Sequence, residues 1–236
     1  MPTFASDSTF LLMKKMFSVY VVAYSILLMS MLVLMYMYPK LELHLLLNSY
    51  HTKPLDTFFT YYSLFAEGPV YVVALLPLLW KQGRLVLFFG LCELTGGSVL
   101  QILKHAISMP RPATAFENCP DMVLPVVEGI NMHSGNSFPS GHSSTFFIFG
   151  TCCALLLAYH YQRNAASNSN WTRVLCACAM LLLLALAALG AYSRVYLSQH
   201  FLQDVCMGSV IGFLTTCLMY RYGRRKILKL NPEETA

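Results

Sequence analysis

The chain has 236 residues, 56% of them hydrophobic and 11% charged, with a formal net charge of +5. A soluble domain carries about a quarter charged residues, so this deficit excludes an ordinary water-soluble globule and points to a lipid solvent. The basic residues are scattered through short loops rather than massed on one face, which excludes a nucleic-acid binder.

A bilayer core needs roughly 20 apolar residues in helix. Six segments qualify in chain order: 17–38, 57–80, 84–107, 140–160, 172–195 and 203–221. Lys14 and Lys15 precede the first. Its apolar run is too long for a signal-peptide core and lacks a small-residue cleavage site, so it reads as a retained anchor. Between the first two segments lies "KLELHLLLNSYHTKPLD" (40–56), too short and polar to span, which suits an amphipathic helix lying in the interface. Gly68-Pro69 and Pro77 predict a kink or a re-entrant start in the second segment. The third holds Glu93, an acid in mid-helix, where a charge costs roughly 2.5–3.5 kcal/mol.

The longest polar loop, 108–138, carries Pro110, Pro112, Pro120 and Pro125 and is expected to form a cap. The stretch "ALAALGA" (185–191) and the Gly208/Gly212 pair predict close helix packing inside one bundle. Most of the eight cysteines lie in apolar runs, where they act as small hydrophobes, so neither a disulfide framework nor a metal-binding CxxC is expected. The expected fold is all-α: a polytopic bundle of six transmembrane helices with an interfacial amphipathic helix, one domain over residues 1–236. Residues 1–16 are expected to form a cytoplasmic N-terminal segment and 222–236 a cytoplasmic tail.

With the N-terminus in the cytoplasm, eleven of the sixteen Lys and Arg residues fall inside: Lys14, Lys15, Lys81, Arg84, Arg163, Arg173, Arg221, Arg224, Arg225, Lys226 and Lys229. The positive-inside rule therefore predicts both termini in the cytoplasm. Lys40, Lys53, Lys104, Arg111 and Arg194 fall outside.

Three polar patches interrupt the apolar pattern: Lys104 to Pro112, Pro139 to His142, and Ser193 to Asp204. Helices three and five run outward and helices four and six inward, so all three patches reach the same membrane face. Their chemistry is complementary. Arg111 and Arg194 each offer a planar fork for phosphate oxygens, and Lys104 adds a point charge. The start of the fourth helix adds free N–H groups and a positive dipole end. Ser140 supplies a hydroxyl there, and Gly141 lets backbone come close to a ligand. His200 and Asp204, four apart, share a face if both lie on a helix. The carboxylate then holds one ring nitrogen as N–H and leaves the other as a bare nucleophile. His142 stands in the anion cradle, where it can protonate a leaving oxygen. Two histidines, a carboxylate and three cations make a phosphoryl-transfer site that needs no metal and no cofactor.

These stretches resemble all three signatures of the type-2 phosphatidic acid phosphatase family. They are Lys104, six residues, then Arg111-Pro112; Pro139-Ser140-Gly141-His142; and Ser193-Arg194, five residues, His200, three residues, then Asp204. The six-helix pattern resembles the family's integral-membrane lipid phosphatases, and "LNSYHTKPLDTFF" (47–59) looks like bacterial members. The resemblance implies that His200 is the nucleophile, forming a phosphohistidine, with Asp204 orienting it. His142 would be the general acid, and its deprotonated form would later activate water. Lys104, Arg111, Ser140, Gly141 and Arg194 would bind the phosphate. It further implies a bacterial inner-membrane enzyme with a periplasmic site, acting on lipid A, undecaprenyl diphosphate or phosphatidylglycerol phosphate. Residues 113–137 match nothing recognisable, which leaves the substrate open.

Taken singly, these residues carry little. Lys104 or Arg111 alone reads as a cation snorkelling to headgroups, and Ser140 or Pro139 alone as an ordinary helix start. His105 and His133 lie near the patches but outside the motifs. A lipid phosphotransferase would use the same site. An anion or lipid transporter would want polar groups along a pathway, whereas here they cluster at one end. A haloperoxidase would not need six spans.

Overall fold

The computed structural model describes residues 5–164 and 167–228, so Lys229 and the rest of the polar tail lie outside the described residues. Among the described residues eight helices follow one another: α1 (Ala5–Met37), α2 (Lys40–Leu47), α3 (Lys53–Ser63), α4 (Gly68–Ala106), α5 (Pro112–Glu117), α6 (Gly141–Arg163), α7 (Asn170–Tyr196) and α8 (Leu202–Gly223). A short 3-10 turn, Leu64–Ala66, joins α3 to α4. No strand occurs among the described residues, so the protein is an all-α, multi-pass membrane protein.

The ends of these helices follow from local chemistry. Thr52 caps α3 by accepting from the Leu55 N–H, with Pro54 in the first turn, and Ser169 caps α7 by accepting from the Thr172 N–H. Among the described residues five stretches are long and apolar enough to cross a membrane: Lys15–Met37, Leu79–Ala106, Gly141–Arg163, Asn170–Tyr196 and Leu202–Gly223. A sixth crossing follows if Lys53–Ala66 and Gly68–Pro77, bent by 69°, make one span. The predicted second span is therefore a bent pair, either a broken span or a re-entrant loop. It bends at Gly68-Pro69, where proline cannot continue the preceding helix.

The chain reverses inside α4. Gln82 leaves helical geometry (φ −135°, ψ 39°). Tyr71 and Phe89 both pack against Phe149, with ring centroids 6.1 and 5.5 Å away. On a straight helix those eighteen residues would set them about 27 Å apart. The two limbs of α4 thus lie side by side.

One expectation is corrected. The segment 40–56 is not a single amphipathic helix: α2 ends at Leu47, and α3 starts afresh at Lys53. Leu43, His44 and Asn48 are buried against the bundle. The capping residue Thr52 and Pro54 start a new helix rather than prolong the old one.

α6 is the hub. Its Phe147, Ile148, Cys152, Ala154, Leu155 and Ala158 are buried in a core shared with α1, α4, α7 and α8. Tyr20 and Tyr24 of α1 are tied to Thr151 of α6 and Ser209 of α8 through their hydroxyls. A methyl group at Gly208 would strike the Ser140 carbonyl, and one at Gly212 the Ser144 carbonyl. The GxxxG pair is thus spent on bringing α8 onto the first turns of α6, as the sequence led one to expect.

Candidate active site

The contact of α8 with the start of α6 builds the site. Ser140 is the N-cap of α6; its hydroxyl oxygen accepts from the Ser143 N–H and from the Ser143 hydroxyl at 3.0 Å. Its own N–H donates to the Asp204 carbonyl at 3.0 Å. The helix start and the carboxylate-bearing turn are therefore held by one backbone hydrogen bond. Gly141 and His142 follow in the first turn of α6, where backbone N–H groups are free to meet an anion.

Asp204 is fully buried. Its Oδ2 accepts from the Ser137 hydroxyl at 2.5 Å and from the Phe201 N–H at 2.9 Å, and lies 3.5 Å from His200 Nδ1. Ser137 Oγ is itself 3.3 Å from that same Nδ1. One ring nitrogen of His200 is engaged in this way, and Nε2, at the opposite edge of the ring, is turned from the carboxylate. His200 does not share a helical face with Asp204. It lies in the turn before α8, whereas Asp204 is in the first turn of that helix. The two meet because the carboxylate caps α8 at Phe201, so the i, i+4 reading on a helix is corrected.

Arg194, buried in the last turn of α7, accepts through its carbonyl from the N–H groups of Gln199 and His200 at 2.9 and 3.1 Å. Arg111 donates from Nη1 to the Gln199 carbonyl at 2.9 Å. The Nε atoms of both arginines are buried and have no protein partner. Lys104, in the last turn of α4, lies close enough to Arg111 and Asp204 to feel both charges. His142 is within electrostatic reach of Arg194, His200 and Arg111. Every residue singled out in the three motifs thus gathers at one end of the bundle. His133 is exposed at its rim, and His105, turned back onto the Gln101 carbonyl at 2.7 Å, stands aside.

Burial, together with the nearby Arg111 and Arg194, pushes His200 down to about 4, against the opposing pull of Asp204. Its ring is neutral at neutral pH, as a nucleophile requires. Burial likewise lowers Arg111, although Asp204 opposes the shift. Three cations meeting at one end of an apolar bundle are stable only with an anion to share. Among the described residues no group of three or more His, Cys, Asp or Glu side chains is placed to hold a metal.

Sequence reasoning missed several residues. Ser137 was passed over next to "PSGH" because its partners are 63 and 67 positions away. Asn136 binds the Lys104 and Ile107 carbonyls, both at 2.6 Å, and accepts from the Met109 N–H at 3.0 Å, fixing the loop that carries Arg111. Behind His200, Ser198 takes a positive φ of 52°. Its hydroxyl accepts from Asn48 at 2.7 Å and donates to the Pro125 carbonyl at 2.6 Å, with His44 Nε2 at 3.3 Å. A left-handed serine needs such clamping. Loop 108–138 accordingly does pack over the turn that presents His200.

A family model described as the PAP2 superfamily matches residues 85–228, more than half of the chain. A mouse protein, phospholipid phosphatase 2, is 38% identical over 86 residues, which are 36% of this chain and 29% of that protein. The chain thus spans less than a third of that curated relative. Among solved structures, LpxE of Aquifex aeolicus superposes with a TM-score of 0.56 at 24% identity, covering 78% of this chain and 95% of its own. The first transmembrane PAP2-type phosphatidylglycerolphosphate phosphatase from Bacillus subtilis superposes with a TM-score of 0.52 at 17% identity, covering 95% and 98%. At these identities the two structures speak to the fold.

Proposed function

Since this chain belongs to the PAP2 superfamily, we propose that it is a metal-independent lipid phosphatase. It would cleave a phosphomonoester or diphosphate of a lipid at the periplasmic face of a bacterial inner membrane. The observation that carries the reading is the convergence of Lys104, Arg111 and Arg194 on the His200–Asp204 pair beside the free N–H groups of α6. Lipid A, undecaprenyl diphosphate and phosphatidylglycerol phosphate are the candidate substrates.

His200 Nε2 attacks phosphorus and the bond to the lipid oxygen breaks, with His142 supplying the proton that the leaving oxygen takes. Asp204 holds the imidazolium that forms. A phosphate bound among Arg111 and Arg194 brings the negative charge that offsets a protonated His142. Neutral His142 then takes a proton from water, which attacks the phosphohistidine and frees phosphate and His200. The cations and the α6 dipole stabilise charge on the equatorial oxygens in both steps. A site at headgroup level also leaves the tails in the bilayer, sparing about 0.8 kcal/mol per CH₂.

The test is phosphate release by purified protein across a panel of lipid phosphates and diphosphates, with and without chelator. Turnover that survives EDTA and is abolished in a folded His200→Ala protein is expected. Residual turnover in His200→Ala would remove the nucleophile assignment, and strict dependence on Mg²⁺ the metal-free mechanism.

A further inference from the structure

Between the two limbs of α4 and the first turns of α6 lies a cavity of about 530 Å³. Its wall is hydrocarbon except for Tyr71, Glu93 and Thr145. A second, largely apolar cavity of about 290 Å³, bounded by α3, α6 and α7, shares Tyr71 and Thr145 with it. Val72, Leu76 and Leu94 on its rim are exposed, so the space opens sideways toward the surface that faces lipid.

Thr145 Oγ1 donates to Glu93 Oε2 at 3.1 Å. Glu93 Oε1 and Tyr71 Oη are buried without a hydrogen-bond partner. Buried polar atoms are nearly always paired. Two unpaired ones on the wall of one apolar cavity mark a place that a polar group from elsewhere would complete. Neither residue belongs to the phosphoryl-transfer machinery. Its depth relates the cavity to that machinery. Thr145 stands three residues beyond His142 on α6, just under one turn, about 4.5 Å along the axis. A lipid whose phosphate rested against His142 would then carry its first few bonds toward Thr145 and Glu93, and its chains toward the two cavities.

Tyr71 offers a donor and Glu93 Oε1 an acceptor. We propose that this pair recognises a group that both accepts and donates, an amide or a hydroxyl, on the backbone of an acylated lipid phosphate. The cavity thereby selects such lipids over polyprenyl phosphates, which carry only hydrocarbon at that depth. The proposal rests on the phosphatase reading and adds the substrate class to it.

Three lipids separate the contributions: ceramide 1-phosphate carries an amide and a hydroxyl, dioleoyl phosphatidic acid carbonyls alone, and farnesyl phosphate neither. Tyr71→Phe is expected to raise KM about tenfold for the first two, a loss of about 1.4 kcal/mol. Glu93→Leu is expected to raise it about tenfold for ceramide 1-phosphate alone. Both variants should stay within twofold of wild type on farnesyl phosphate, and Glu93→Gln, which keeps an acceptor oxygen, should restore ceramide 1-phosphate. Equal effects on all three lipids, or none, would overturn the proposal. If Glu93→Leu does not fold, Tyr71→Phe carries the same comparison. Binding to His200→Ala protein, read as the thermal shift produced by each lipid in detergent micelles, tests the cavity without turnover. Wild-type protein releasing no phosphate from any lipid would end the phosphatase reading. A stronger shift with ceramide 1-phosphate than with farnesyl phosphate would still sustain the cavity, and equal shifts would end that as well.

Discussion

Asp204 Oδ2 is shared by a hydroxyl, a backbone N–H and an imidazole. The shortest of these contacts is to Ser137, at 2.5 Å, while His200 Nδ1 stands 3.5 Å away. The proposed nucleophile is thus aimed as much by Ser137, 3.3 Å from Nδ1, as by the carboxylate. Ser137→Ala removes a bond worth about 1.5–3 kcal/mol where a charged group is involved. The hydroxyl engages the histidine rather than the phosphate cradle. The loss is therefore expected in kcat, about tenfold or more, with KM within twofold; a rise in KM at unchanged kcat would place Ser137 among the substrate contacts instead. That His200 and Asp204 come together was legible in their spacing, although the turn before α8 that brings them together was not. Ser137 was not legible, because its value lies in two partners that only the folded chain brings near.

At the scale of the helix, the site exists because α8 lies on the first turns of α6. The Ser140 and Ser144 carbonyls occupy the space that side chains at Gly208 and Gly212 would need. Backbone cannot step aside as a flexible side chain can, so Gly208→Val forces the helices apart at the level of Ser140. Overpacking of this kind costs about 1–3 kcal/mol. The expected result is a lower thermal midpoint in detergent together with loss of phosphate release. Gly97→Ala is the control: nothing lies within 4 Å of a methyl group there, and alanine is the better helix former. A Gly208→Val protein as stable and active as the control would show that α8 does not need this approach. The GxxxG spacing announced close packing but could not say that its partner was the turn that carries Ser140 to His142. The break between α2 and α3 was written in the sequence as Thr52 and Pro54, and the leucines on either side masked it.

At the scale of the whole molecule, the parity of crossings decides where the site faces. α1, the bent α3–α4 entry, the second limb of α4, α6, α7 and α8 make six passes if the 69° bend lies within one span. Six passes return the C-terminus to the side of the N-terminus, and the excess of Lys and Arg on that side predicts, by the positive-inside rule, that it is the cytoplasm. Five cations fall against the bias, Lys40, Lys53, Lys104, Arg111 and Arg194, and the fold draws the last three together. A cluster of three cations on the side the rule leaves poor in them is what a bound anion would call for, so it does not argue against the topology. Fluorescent protein fused after Ala236 should therefore fluoresce, since it matures in the cytoplasm. Alkaline phosphatase fused at Cys119, in the loop after α5, should be active, since it matures outside. If the bent pair instead dips in and returns on one face, the passes number five and the two ends of the chain part company. Because α6, α7 and α8 separate Cys119 from the C-terminus in either case, with the N-terminus kept in the cytoplasm both reporters would reverse, the C-terminal fusion dark and the Cys119 fusion inactive, and the count of six would fall without disturbing the geometry of the site.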